Sequence, residues 1–330
     1  MSNVSVNEVT PTSPLPTLLT APAIAPSGHE LRQLVSSPDT LCDLETFAHA
    51  LTVRDIIFEC EGDGPLAQHP GFPGAVRQAI GSELIATASR EALAGLPCPW
   101  SPACGLQVFF NGEQGTKVGE TAPPWIIRSE SVDASTVRIT LRLFGLGLLW
   151  TNNLADACHR AIERGIYIGG MGPVCDSVLI RSIEGVWTGL RDEPELADTA
   201  IVAFVTPLAW NDDQYDVPFD EHFFHGLLYR VIDIARWHGM QIEEAETHLK
   251  SLAAGCSVRE EGLSEMKWNR SISQQRSASI AMQGKTGLMR IALPKDGRKS
   301  LSRLLTIGAL LNSGGMTAFG QGRYNLFFLD

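Results

Sequence analysis

The chain has 330 residues, of which 44% are hydrophobic and 19% charged, a composition too apolar for an intrinsically disordered protein. No apolar run approaches the ~18 residues of a membrane-spanning helix, and the N-terminus lacks the basic flank and apolar core of a signal peptide. Seven scattered cysteines predict no disulfide framework, which suits a cytoplasmic protein. The net charge of -11 argues at first against a nucleic-acid partner.

The first half of the chain predicts the order β-α-β-β-α-β. Residues 1–40 are rich in Pro, Ser and Thr, and we expect an irregular extension there, followed by a short helix near Asp43–Ala50. In 137–144 the residues Val, Ile, Leu and Leu alternate with Arg138, Thr140 and Arg142, as in a half-buried antiparallel strand. The remaining predictions are strands at Leu51–Cys60, Leu106–Phe110, Trp125–Phe144 and Val178–Trp187, and helices at Gly74–Ala94 and Thr151–Arg164.

The second half predicts the same order again. The predictions there are strands at Ala200–Leu208 and Tyr324–Leu329, helices at Phe219–His238 and Lys299–Asn312, and a hairpin made of Met266–Met282 and Leu288–Leu293 around Gly284 and Gly287. Repetition of this order predicts an α+β fold with two tandem ferredoxin-like domains, at residues 41–190 and 195–330. The linker is acidic and contains Pro194.

Charge is distributed unevenly along the chain. Between Met266 and Arg323 there are ten Lys or Arg residues against one acid, Asp296, which gives that segment +9 and leaves -20 for the remainder. This asymmetry predicts a polyanion-binding face within an acidic protein. The alternative is a basic surface that pairs with the protein's own carboxylates.

A glycine-rich segment, LLNSGGMTAFGQGRY at 310–324, lies between the last predicted helix and the last predicted strand. Backbone amides at Gly314, Gly315, Gly320 and Gly322 are unshielded by side chains, so we expect them to approach phosphate oxygens. No Gly-Lys-Ser/Thr follows, so the segment is not a P-loop. A tight structural connection is the other interpretation.

Four motifs together resemble the CRISPR repeat-processing endoribonucleases of the Cas6 family, in the RAMP superfamily. They are, in order, Gly74–Gly81 with Arg77, the passage Leu141–Gly145 with Gly165–Gly170, the segment Lys267–Arg276 with its Trp-x-Arg-x-Ser pattern, and the glycine-rich segment Gly314–Tyr324. The resemblance covers the chain from about Leu51 to its C-terminus and leaves out the first 40 residues.

The resemblance implies binding of CRISPR repeat RNA and its cleavage without metal or other cofactor, by attack of a ribose 2′-hydroxyl on the adjacent phosphate. It also implies that the protein stays on its product as a subunit of a CRISPR effector complex. Such chemistry needs a base and cations that stabilise charge on the phosphate. His69 is the first candidate for the base, with His29 as the alternative, and Arg77 is a candidate electrostatic stabiliser. The predicted RNA ligands are Lys267, Arg270, Arg276, Lys285 and Arg323 with the four glycines.

One departure from the family pattern bears on catalysis. Where relatives often have His before the loop and Lys after its first glycine, this chain has Asn312 and Gly315. A catalytically weak or silent RNA-binding subunit is therefore the alternative function, and an enzyme unrelated to RNA, with an anion-binding glycine loop, is a third. Cys98 and Cys104 supply only half of a tetrahedral zinc site, so no metal is expected.

Overall fold

The computed structural model describes residues 25–110, 121–169, 171–190, 192–210, 218–242, 245–273, 276–314 and 316–329. Within these ranges the side chains of residues 210, 245–246, 270–273 and 276–279 are not described.

The N-terminal half is built on an antiparallel sheet with helices on one face. Its elements are α1 (Gly28–Ser36), β1 (Thr40–Cys42), α2 (Leu44–Ala50), β2 (Thr52–Gly62), α3 (Gly64–Ala67), α4 (Phe72–Ile85), α5 (Arg90–Leu93), α6 (Gly105–Phe109), β3 (Trp125–Ser131), β4 (Thr136–Phe144), a 3-10 turn at Gly145–Trp150, α7 (Thr151–Glu163), β5 (Ile166–Tyr167), β6 (Pro173–Ile183) and β7 (Trp187–Thr188). The sheet order is β3-β4-β2-β6-β5, with β7 beside β2. The succession β2-α4-β3-β4-α7-β6 is the ferredoxin-like arrangement.

The C-terminal half repeats this topology. Its elements are β8 (Thr199–Phe204), β9 (Leu208–Trp210), α8 (Phe219–Arg236), β10 (Met240–Ile242), a π-helical turn at Ala245–Leu249, α9 (Lys250–Ala254), β11 (Ser257–Ser273), β12 (Arg276–Ala292), α10 (Arg298–Leu311), a 3-10 turn at Thr317–Phe319 and β13 (Tyr324–Leu329). The sheet order is β11-β12-β8-β13, with β9 beside β12. Strands β8, β11, β12 and β13 with α8 and α10 therefore form a second β-α-β-β-α-β unit.

The alternation predicted for residues 137–144 is confirmed. In β4 the residues Val137, Ile139, Leu141 and Leu143 are fully buried in the core. On the opposite face Arg142 makes two hydrogen bonds of 2.8 and 2.6 Å to Asp55 on β2, and Arg138 pairs with Glu59 on the same strand. The sheet thus buries one face and presents ion pairs on the other.

Four predicted elements are wrong. The stretch Trp125–Phe144, expected as one strand, contains the two strands β3 and β4, which pair with each other. Residues 28–36, expected to be irregular, form α1, because Ser27 and Glu30 make a capping box and Leu31 and Val35 are buried. The apolar run Leu106–Phe110 lies in helix α6 and not in a strand. In the hairpin Ser273 of β11 pairs with Arg276 of β12, and Gly284 and Gly287, around which a turn was expected, lie inside β12.

Within the part of the chain that the structure describes, no helix combines the length and the apolar character needed to cross a membrane.

Candidate nucleic-acid interface

His69 lies in the turn between α3 and α4, where it is half-buried. Its backbone carbonyl accepts from Phe72 N–H at 2.9 Å, which fixes the start of α4. The ring Nδ1 accepts a hydrogen bond from Gly71 N–H at 3.1 Å. Burial lowers the pKa of His69, which favours the neutral ring. Since Nδ1 accepts, the neutral ring in this hydrogen-bonding state carries its proton on Nε2.

Two other segments hold this turn in place. The buried side chain of Gln321 in the glycine-rich segment donates from Nε2 to Pro70 O at 2.8 Å. On the other side, a Cβ placed on Gly71 would be 3.1 Å from Asn269 O of β11. The structure therefore brings together the His69 turn, the glycine-rich segment and the first hairpin strand. The His69 turn is about 200 residues or more from the other two in sequence.

The glycine-rich segment does not present the amides that the sequence suggested. Gly320 N–H donates to Thr317 O at 2.9 Å and Gly322 N–H to Pro207 O at 2.8 Å, and both glycines are buried. Their φ angles of 76° and 72° require glycine. In this structure the N–H groups of Gly320 and Gly322 are therefore engaged within the protein, where the two glycines allow close packing.

Gly314 also serves packing. It has a φ of 92°, and its Cα lies 2.6 Å from where a Cβ on Gly226 of α8 would be. The Ser313 hydroxyl donates to Phe223 O at 3.0 Å, so the start of the segment is fixed to α8. Gly314 is partly accessible. Gly315, another predicted ligand, lies outside the described residues.

Arg77 lies in the protein interior, only 2% exposed. Its guanidinium carbon is 4.1 Å from the ring centroid of Phe110, 5.0 Å from that of Phe319 and 5.3 Å from that of Trp125. These are cation–π distances. Because Phe319 belongs to the glycine-rich segment, Arg77 connects α4 to that segment inside the protein. In this arrangement the guanidinium packs against aromatic rings inside the protein.

His29 is exposed near the start of α1. The preceding residue, Gly28, donates its N–H to Cys98 O at 2.9 Å, which sets α1 against the segment that contains Cys98 and Cys104. Cys104 N–H in turn points to Cys98 Sγ at 3.4 Å. Among the described residues, no group of three or more His, Cys, Asp or Glu side chains is arranged to hold a metal ion.

Most basic side chains of the positive segment are paired with carboxylates. Arg323 is 2.8 Å from Glu130, and Lys285 is 3.7 Å from Glu260 and also lies over the Phe219 ring. Further pairs in the segment are Arg290 with Glu261, Arg298 with Asp198, Lys299 with Glu193 and buried Arg303 with Glu45. Most of the segment's positive charge is thus paired with the protein's own carboxylates, which was the alternative to a polyanion-binding face.

Lys267 differs from these residues. It is exposed on β11 and has no carboxylate partner among the described side chains. It precedes Asn269 by two residues, which places it about 7 Å along the strand from the contact with the His69 turn. The side chains of the predicted ligands Arg270 and Arg276, on the same hairpin, lie outside the described part.

Comparison with solved structures identifies the fold. One structure, described as a Cas6 product complex, is 17% identical with a TM-score of 0.52, over 84% of this chain and 99% of that chain. A second Cas6 product complex is 16% identical with a TM-score of 0.49, over 83% of this chain and 100% of that chain. Thermus thermophilus Cas6 is 16% identical with a TM-score of 0.46, over 84% and 99% of the two chains.

No protein-family model and no curated protein matches the sequence. At identities this low a structural likeness shows the fold alone. Two ferredoxin-like halves in tandem, with a glycine-rich segment before the last strand, give this chain a Cas6-like fold.

Proposed function

We propose that this protein binds CRISPR repeat RNA and cleaves it endonucleolytically without a metal ion. The observation that carries the proposal is the meeting of the His69 turn, the glycine-rich segment and β11 in a Cas6-like fold. It places an imidazole, an exposed lysine and the hairpin with the Trp-x-Arg-x-Ser pattern around one junction. The structural neighbour is described as a product complex, which fits a processing enzyme.

The reaction needs one proton removed and one supplied. The ribose 2′-oxygen loses its proton to a base and attacks the adjacent phosphorus. The bond from phosphorus to the 5′-oxygen breaks, and that oxygen takes up a proton from solvent water, so the products are a 2′,3′-cyclic phosphate and a 5′-hydroxyl. We propose His69 as the group that takes the 2′-hydroxyl proton, as its pKa range suits. Because Gly71 N–H occupies Nδ1, this role requires the ring to present an unprotonated Nε2, so the Gly71 bond must break when RNA binds.

Cations must stabilise the charge that develops on the phosphate. Arg77 is buried among aromatic rings and Arg323 is paired with Glu130, so we assign this task to Lys267 with the hairpin arginines Arg270 and Arg276. The proposal places the protein in the cytoplasm, bound to its product RNA alongside other subunits of a CRISPR effector complex.

A single-turnover cleavage assay in EDTA, with a repeat RNA, tests this function. His69→Ala should slow cleavage by roughly 10²–10⁴-fold with little change in RNA affinity, since the lost group acts on the proton. His159→Ala is the matched control, because His159 is partly exposed on α7, where its ring contacts Glu163. Wild-type product should carry a 2′,3′-cyclic phosphate. Full activity in His69→Ala would remove His69 from the mechanism.

A second candidate function is an RNA-binding subunit with weak or no cleavage. It is favoured by the pairing of most cations in the positive segment and by the internal use of the Gly320 and Gly322 amides. RNA binding by the wild type with no cleavage in the same assay would establish this alternative.

A further inference from the structure

A single peptide unit connects the glycine-rich segment to His69. The carbonyl of Pro70 and the N–H of Gly71 belong to the same planar peptide group. That carbonyl accepts from Gln321 Nε2 at 2.8 Å, and that N–H donates to His69 Nδ1 at 3.1 Å. The side chain of Gln321 therefore reaches the catalytic candidate through one rigid plane.

The Gln321 side chain is itself firmly held. It is 3% exposed, and its Nε2 donates to a second carbonyl, Phe319 O, at 3.1 Å. Turning the amide over would place Oε1 against two carbonyl oxygens, so the orientation with Nε2 as the double donor is determined. The backbone carbonyl of Gln321 accepts from Asn312 Nδ2 at 3.2 Å. The donor therefore has a defined position relative to Pro70.

We propose that Gln321 is a positioning residue for His69: by holding the Pro70–Gly71 peptide plane, it aims the Gly71 N–H at Nδ1 and so sets the orientation and tautomer of the ring. This rests on the proposed function for its catalytic meaning. Donation to a carbonyl polarises the N–H of the same peptide and strengthens the next hydrogen bond in the chain. Movement of the glycine-rich segment on RNA binding would thus be transmitted to His69.

The RNA-free protein gives the first test. Nitrogen-15 NMR of the histidine rings should show the Nε2–H tautomer for His69 in the wild type. Gln321→Met, similar in size but without a donor, should shift His69 toward a mixture of tautomers, and Gln321→Glu should do the same. Thr206→Val is the control, because it removes a different side-chain bond to the segment, from Thr206 Oγ1 to Gly320 O at 2.9 Å. It should leave His69 unchanged.

Cleavage gives the second test. Because the hydrogen bond from Gly71 N–H to His69 Nδ1 must break before His69 can act as the base, Gln321→Met should speed single-turnover cleavage by about two- to tenfold at unchanged RNA affinity, and it should have no effect in a His69→Ala background. A wild-type His69 spectrum in both Gln321 variants, or an equal shift in Thr206→Val, would overturn the positioning role. If the wild type binds RNA without cleaving it, the proposed activity fails, while the spectra still decide the role of Gln321.

Discussion

Lys267 is an exposed cation in a segment where most other described cations have carboxylate partners. We predict that Lys267→Ala weakens repeat RNA binding and reduces the slope of log affinity against log salt by about one, the value for one lost phosphate contact. Lys295 is also exposed and without a carboxylate partner among the described residues, but it follows β12, so Lys295→Ala is the matched control. Binding titrations at several salt concentrations measure both. Equal slopes for Lys267→Ala and the wild type would contradict a phosphate contact at Lys267.

At single positions, the sequence predicts the chemistry of a side chain but not its neighbours in the fold. His69 could be selected because its ring chemistry suits proton transfer and it precedes a predicted helix. The position of Arg77 could not be inferred, because its ring neighbours Phe110, Trp125 and Phe319 come from three separate segments. The role of the Gln321 side chain has no signal in the sequence beyond its place between two glycines, which in the structure both have positive φ.

At the scale of elements, the glycine-rich segment is a packed connection. A Cβ on Gly322 would lie 1.7 Å from Ser313 O, and its φ is 72°. We predict that Gly322→Ala lowers the free energy of unfolding by about 2–5 kcal/mol without any RNA present, from left-handed backbone strain and the displaced segment. Gly185→Ala, where a Cβ meets nothing within 4 Å, is the control. Urea unfolding measures both, and wild-type stability in Gly322→Ala would contradict the packing role of this glycine.

Element types were largely predictable from periodicity, and the errors have physical causes. A short apolar run such as Leu106–Phe110 fits a strand or a buried helix equally, and only packing decides. Gly284 and Gly287 suggested a turn. In the structure a Cβ on Gly284 would be 2.6 Å from Leu208 O of β9, and Gly287 is opposite Gly262 at a register shift in β11. At both glycines two strands approach each other closely. No local sequence pattern distinguishes such a glycine from one in a turn.

At the scale of the molecule, the two halves are joined by buried polar contacts around the end of α10. Arg230 donates to Leu311 O at 3.3 Å and to Pro123 O at 3.0 Å, and Arg128 of β3 donates to Leu310 O at 3.2 Å. Cationic side chains at a helix C-terminus match its partial negative charge. Strand β1 also pairs in parallel with β10. The site lies at this junction, so its geometry depends on how the halves are held.

His238 is part of the same junction and makes it sensitive to pH. Its Nε2 accepts from Thr52 N–H of β2 at 2.9 Å, and its Nδ1–H donates to Ile234 O at 2.8 Å. Both ring nitrogens are therefore used by the neutral form, and a proton added at Nε2 would face the Thr52 N–H. Burial lowers the pKa of His238, so the unfolded chain takes up a proton at a higher pH than the folded protein.

The sign of the pH effect follows from that difference. As the pH falls below about 6.5, the unfolded state binds the proton first, so the free energy of unfolding should fall by up to about 1.4 kcal/mol per pH unit. The stabilisation is fully present above that pH and is lost as the pH falls toward the folded-state pKa. His238→Gln should flatten this slope in urea unfolding between about pH 5 and pH 8, whatever its stability at neutral pH. Val53→Ala, a core change beside Thr52 without a titrating group, should keep the wild-type slope. An unchanged slope in His238→Gln would show that other groups, such as half-buried His222, carry the pH dependence.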